Sequence, residues 1–150
     1  MRWPEVRDAA FFNAFSRGHF SDSVGIEIIA VDAQAKTVTA ELLIQPRHIA
    51  PNGYLHGGAV VTLADTTAAY ACIAQLPADA GFTTAEMKAN LIGTLRDGAI
   101  TCVAQPLHIG RTTHVWDATV HAGDAAQNAA APGRVIAAFR CTQVVLQPRK

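Results

Sequence analysis

Serine is almost missing from this chain of 150 residues: Ser16, Ser21 and Ser23 are its only serines, and all precede the first strand-like segment. No G-x-S-x-G turn occurs, so a serine nucleophile on a strand-to-helix elbow is excluded. The chain also lacks H-E-x-x-H and C-x-x-C spacings, which argues against the common metal sites. Neither G-x-G-x-x-G nor a P-loop pattern is present to hold a dinucleotide or nucleotide phosphate. Charged residues make up only 16% of the chain and the formal net charge is zero. With no run of Lys or Arg to follow a phosphate backbone, nucleic acid is not an expected partner.

Long apolar runs are scarce as well. The stretch 68–74 is far shorter than the roughly 20 residues that span a bilayer, so no membrane partner is expected. The first residues, MRWPEVRDAAFFNAF, lack a basic segment followed by an apolar one, which predicts a protein without a secretory leader. Cys72, Cys102 and Cys141 are odd in number, widely spaced and set in apolar segments. They read as three buried free thiols of a cytoplasmic protein, with no disulfide framework and no zinc.

What is present is hydrophobic residue, at 50% of the chain. One domain over 1–150 is expected, large enough to bury roughly 68–70% of its unfolded surface. Low net charge favours self-association.

The chain is organised around His56 to Leu76, HGGAVVTLADTTAAYACIAQL, which contains no Pro, Lys or Arg. Apolar residues from Ala59 to Ile73 fall on every side of a helix, and a helix apolar all round is expected to be buried. Asp65 is the only Asp or Glu between Glu41 and Asp79. That carboxylate stands alone in the least polar part of the chain.

Before the helix, residues 4–16 read as a short N-terminal helix, with Pro4 in its first turn and Phe11, Phe12 and Phe15 on one face. Gly18 ends it, so residues 1–19 form a helical extension. Strands are expected over 24–31 and 37–44, the second with Val38, Ala40 and Leu42 alternating against Thr37, Thr39 and Glu41. A linker with Pro46, Pro51 and the Asn52-Gly53 turn leads into the helix. After Pro77 come strands over 82–92, 99–109, 112–122 and 134–146, with a loose loop over 123–133. Strands joined by short connections pair antiparallel, and the sheet must then curl around the helix.

These features resemble the hotdog fold, an α+β arrangement of a curved antiparallel sheet wrapped on one long central helix. The stretch PNGYLHGGAVVTLADTTAAYAC is similar to the PaaI-like acyl-CoA thioesterases, whose G-x-x-HGG enters the central helix with an acid eight residues after the first HGG glycine. Here those positions are Gly53, His56, Gly57, Gly58 and Asp65. TTAEMKANLIGTLRDG also resembles the family's T-x-E-x-K-x-N-[FL] strand and following loop. The resemblance covers about residues 20–147. It implies hydrolysis of acyl- or aryl-CoA thioesters with no cofactor and no metal. The Gly57 N–H would then hold the thioester carbonyl, Asp65 would act as nucleophile or general base, and Thr84, or Thr83 one residue away, would position water. The family's Gln or Asn that helps hold the carbonyl falls on Ala50; Asn52 and His48 lie two residues to either side.

The residues support that chemistry independently. Unpaired N–H groups and the positive dipole end make a helix start suited to developing oxyanion charge. Glycines at 57 and 58 let a carbonyl approach closely. A desolvated Asp65 should bind its proton more tightly than an ordinary carboxylate, as a general base near neutral pH requires. Gly57 and Asp65 lie about 12 Å apart along one helix at ~1.5 Å per residue, while a reacting carbon must sit about 3 Å from both. Two copies related by a two-fold axis can pair Gly57 of one with Asp65 of the other, which predicts a homodimer at minimum and a homotetramer by pairing of dimers. His56 reads first as a helix cap beside the substrate, and Arg111, in a turn between strands, as a phosphate contact or a solvated residue. Tyr54, Leu55 and Phe82 are candidates to line an acyl pocket. The alternatives are an acyl-CoA-binding module without turnover, motivated by Ala50, and an enoyl-CoA hydratase-like enzyme.

Overall fold

A computed structural model describes residues 2–147. Helices α1 (Ala9–Ser16) and α2 (Phe20–Val24) precede strands β1 (Ile26–Asp32) and β2 (Thr37–Leu43). A 3-10 turn (Pro46–His48) then leads to helix α3 (Gly57–Gln75). Strands β3 (Gly81–Leu91), β4 (Ala99–Ile109) and β5 (Thr113–Ala122), the short helix α4 (Ala125–Ala130) and strand β6 (Val135–Leu146) complete the chain. The strands form one antiparallel sheet in the order β1-β2-β4-β5-β6-β3. It is the hotdog arrangement expected from the sequence.

Alternation decides which face meets the helix. Val38, Ala40 and Leu42 are buried, as are Ile100, Cys102 and Ala104 and, on β5, His114, Trp116, Ala118 and Val120. Against them α3 sets Leu63, Ala64, Thr67, Ala68, Ala71 and Cys72, all nearly solvent-free. The small residues bring helix and sheet backbones close, and burial of the larger ones stabilises the contact by about 1.5–3 kcal/mol per side chain. All three cysteines are buried and free. Burial pushes each thiol up to about 12, so they pack as small apolar groups.

Several expectations need correction. The first helix starts at Ala9, because the Asp8 side chain accepts the Phe11 N–H at 2.8 Å and so caps it there. Pro4 lies outside the helix, its carbonyl accepting from Arg7 Nε at 2.9 Å. Helix α2 was not foreseen, and part of the loose loop is helical. There Asp124 and Gln127 form a reciprocal capping box that starts α4.

Helix α3 is also not covered on every side. Gly58 is exposed, and Val61, Thr62, Asp65, Thr66 and Ala69 are only half-buried. These positions recur at helical spacing, so they form one stripe that the chain's own sheet leaves open. Beside it runs β3, an edge strand with a bulge between Thr84 and Glu86. Residues opposed across antiparallel strands share a face, so Thr84 (against Gln143), Met87 (against Cys141) and Leu91 (against Ala137) point to the helix side. Met87, Leu91 and the neighbouring Ile92 are nonetheless exposed.

Candidate active site

The linker into α3 is held by backbone pairing. Ala50 N–H donates to the Tyr54 carbonyl and Gly53 N–H to the Ala50 carbonyl, each at 2.8 Å, and Gly53 takes the positive φ of +82° that favours glycine. His48 is buried: its Nδ1 accepts from Gln45 N–H at 3.0 Å and its Nε2 meets the Val24 carbonyl at 2.7 Å. Both ring nitrogens are engaged in the fold, which removes His48 as a stand-in for the residue absent at Ala50. Asn52 is exposed, its Oδ1 accepting from Tyr54 N–H at 3.2 Å.

At the helix start His56 is the cap. Its Nδ1 accepts from the Gly58 N–H at 2.8 Å, so that nitrogen carries no proton. The N–H groups of Ala59 and Val60 reach the His56 carbonyl at 2.9 and 3.4 Å. Among the described residues nothing accepts from the Gly57 N–H. One oriented amide at the positive end of a 19-residue helix is therefore left open. Both glycines also have steric reasons. A Cβ on Gly57 would lie 2.5 Å from Leu91 Cδ1, and one on Gly58 would lie 2.9 Å from the capping His56 Nδ1.

Gly57 opens into a cavity of about 250 Å³ lined by Asn52, Tyr54, Leu55, Val60, Leu91 and Thr94, with Gly93 beside them. Tyr54 and Leu55 are where the sequence suggested. Phe82 is not: it sits at the far end of β3 against Val145, packed on the core. Leu91, which covers Gly57, was missed, although it occupies the apolar position of the N-[FL] motif.

Asp65 occupies the middle of the open stripe. Its Oδ1 is buried and has no hydrogen-bond partner among the described residues, and burial holds its carboxyl above the usual carboxylate range. Thr62 does not satisfy it, because its hydroxyl donates to the Gly58 carbonyl at 2.8 Å. The inward face of β6 alongside carries Cys141 and Gln143, and the charge of Asp65 helps to raise the Cys141 thiol. Thr84 pairs with Gln143 on that same face, whereas Thr83 points away. Gln143 Oε1 and Trp116 Nε1 are likewise buried and unpartnered. His114 Nδ1 lies 3.4 Å from Cys72 Sγ, and burial lowers its affinity for a proton.

Asp65 and Thr84 are thus brought to one region, while Asn52, His56, Gly57 and Gly58 gather in another. Arg111 joins neither helix start nor cavity. It lies in the β4–β5 turn, its carbonyl accepting from Gln147 Nε2 at 3.1 Å. The strand registers place that turn beside Val144, and Gly57 beside Leu91, at opposite ends of the sheet. Among the described residues no cluster of three or more His, Cys, Asp or Glu is assembled for a metal.

Residues 52–129 match the family described as the Thioesterase superfamily. A crystal structure of a mutant thioesterase from Pseudomonas aeruginosa is 32% identical, covers 97% of this chain and 99% of its own, and superposes with a TM-score of 0.84. The 1,4-dihydroxy-2-naphthoyl-CoA hydrolase of Listeria monocytogenes is 30% identical over 129 residues, 86% of this chain and 97% of that protein. The PaaI protein of Escherichia coli, at 22% identity, shares the fold with a TM-score of 0.75 over 91% of this chain and 90% of its own. The chain belongs to the thioesterase superfamily and is a hotdog-fold thioesterase.

Proposed function

We propose that the protein hydrolyses acyl- or aryl-CoA thioesters at a site shared between two copies. The observation that carries this is a pair of unsatisfied groups on one helix, the open Gly57 N–H and the buried, unpartnered Asp65 Oδ1. They lie about 12 Å apart along the axis at ~1.5 Å per residue, too far for one carbonyl carbon to meet both. The open stripe on α3 and the exposed apolar edge of β3 supply the surface on which a second copy would pack, Gly57 facing Asp65 of the partner subunit. A homodimer is the smallest active unit, and dimers pair into a homotetramer.

In this scheme the thioester carbonyl takes the Gly57 hydrogen bond. Asn52, His56 and Gly58 border the acyl group. Asp65 removes a proton from a water held by Thr84 as the water oxygen attacks the carbonyl carbon. The tetrahedral oxyanion rests on the Gly57 N–H and the helix dipole. Collapse breaks the C–S bond, and the departing thiolate takes the proton back from Asp65, leaving free acid and CoA. Direct attack by the Asp65 carboxylate, through a mixed anhydride that water then opens, uses the same residues. The mostly apolar cavity at Gly57 suits an acyl or aryl group. The reducing cytoplasm suits three free thiols.

The test is thiol release from a panel of acyl- and aryl-CoA esters, with assembly measured by light scattering. Turnover lost in Asp65→Asn with the dimer intact supports the proposal. Tight binding without release would identify a binding module, and hydration of an enoyl-CoA without thiol release a hydratase.

A further inference from the structure

Among the described residues three buried side-chain atoms lack a hydrogen-bond partner, and all three belong to one part of the core. They are Asp65 Oδ1 on α3, Trp116 Nε1 on β5 and Gln143 Oε1 on β6. Cys141 is their common neighbour. It pairs in register with Trp116, and Gln143 folds its amide back along β6 so that Nε2 lies 3.6 Å from Cys141 Sγ. Asp65 is near enough for its charge to act on the same thiol. The indole lies by Cys72 and favours its thiolate without forming a hydrogen bond to it. Along this face of α3, Ala68 and Ala69 follow Asp65 after one turn and Cys72 after two, so the side chains between helix and sheet are small here.

The three atoms make a matched set. Trp116 Nε1 can only donate, while Gln143 Oε1 and an ionised Asp65 Oδ1 can only accept. Buried polar groups in folded proteins are paired, with ordered water where no protein group reaches. One water accepts a hydrogen bond from the indole and donates one each to the amide and the carboxylate, the three bonds typical of an internal water. Polar neighbours are committed elsewhere. His114, opposite Gln143, sets Nδ1 3.4 Å from Cys72 Sγ, and Thr67 donates to the Leu63 carbonyl at 2.6 Å. Glu86 turns the other way, its Oε2 accepting from Thr142 Oγ1 at 3.4 Å. The titratable groups on the Asp65 side are thus Cys72, His114 and Cys141; Thr84 and Met87, from β3, carry no charge.

Resting on the reading of Asp65 as base or nucleophile, the geometry points to Gln143 as a positioning residue: with Trp116 it holds an internal water that bonds Asp65 Oδ1 and fixes the carboxylate from inside the subunit. Asp65 is half-buried, so its second oxygen is left to the open stripe where the substrate arrives. A carboxylate tied at one oxygen rotates less freely and presents the other at a constant angle, which is what a support behind a reacting group provides.

The first measurement is a wild-type crystal structure fine enough to show internal water, and it needs no substrate. A water within hydrogen-bond reach of Trp116 Nε1, Gln143 Oε1 and Asp65 Oδ1 is expected, and it should be missing from Gln143→Met, which keeps the side chain's length without its amide. A dry site, or direct bonds among the three groups, would overturn the proposal. The second measurement is kinetic. Gln143→Met and Trp116→Phe should each lower kcat about tenfold with KM for an acyl-CoA ester nearly unchanged. Each should also move the acid limb of kcat/KM to higher pH, because the ionised carboxylate loses a hydrogen bond. The double variant should lose about as much as either single one, since both act through one water. Additive losses, or a limb that stays in place, would give the two residues a packing role and overturn the proposal. Melting curves check that the variants fold, and if they do not, the wild-type structure decides. Failure of the thioesterase reading looks different: the wild type would release no thiol, with the water present all the same.

Discussion

The two ends of α3 are finished in opposite ways. At the C-terminal end the chain's own N-terminus meets two free carbonyls: Arg7 Nη1 donates to Ile73 and Leu76 at 2.6 and 2.7 Å, while Trp3 Nε1 donates to Ala80, just beyond the helix, at 2.7 Å. Phe12 stacks on Tyr70 with centroids 4.8 Å apart, and the Tyr70 hydroxyl meets Ser16 Oγ at 2.6 Å. At the N-terminal end a histidine caps one amide, a second is left open at Gly57, and a cavity replaces the aromatic plug. Helix ends carry several unsatisfied backbone groups. One end of this helix has carbonyls paired with the N-terminal segment, and the other leaves an amide unpaired, where the proposed chemistry would use it.

That contrast predicts opposite signatures for substitutions along the same helix. The largest effect should come from Asp65→Asn, which removes the base. The rate of thiol release should fall by about 10²–10⁴-fold, read in steady-state kinetics. Gly57→Ala keeps the amide but places a methyl against Leu91 and in the carbonyl's path. A loss of about 10²-fold in kcat with little change in melting temperature is expected, since a small misplacement of reacting groups costs that much. A fall in stability as large as the fall in rate would break the comparison.

At the other end Arg7→Ala should do the reverse. Two charge-assisted hydrogen bonds to carbonyls disappear, lowering stability in urea titrations by about 1.5–3 kcal/mol while KM stays put. A selective loss of activity in a stably folded Arg7→Ala protein would show that both ends serve the site.

The smallest effects concern pH. Because burial holds the Asp65 carboxyl above its ordinary value, the acid limb of kcat/KM should fall at a higher pH than a free aspartate would give. The same shift stabilises the protonated fold, and that contribution is lost as pH rises through the folded-state value. Asp65→Asn should therefore melt a few degrees higher than wild type near neutral pH. The two should converge in acid below the ordinary aspartate range, as scanning calorimetry at several pH values would record.

Much of the site was legible because its parts are local. Eight residues between a glycine and an acid on one helix define a distance, and a lone carboxylate among alanines defines a desolvated acid. Some of the features that were missed depend on contacts far apart in sequence, and others are too short to show a period. Arg7 reaches Ile73 and Leu76 across more than sixty residues, and no periodicity announces that. Arg134, in the connection just before β6, reaches the Thr94 carbonyl forty residues away, and only the sheet register brings the two together. Arg111 looked suitable as a turn arginine, but the direction of β4 and β5 carries that turn away from Gly57. Helix α2 and the capping box of α4 were missed because five and six residues are too few for apolar periodicity to register.

By itself the sequence determined the alternation of the strands and the central helix with its glycine entrance and solitary acid. These follow from side-chain period and rise per residue, which are local quantities. Only the tertiary structure decided which stripe of the helix the sheet leaves uncovered, which amide remains unpaired, and which side chains line the cavity. Each depends on how distant strands register and how the termini fold back, and that is settled by packing the whole chain at once.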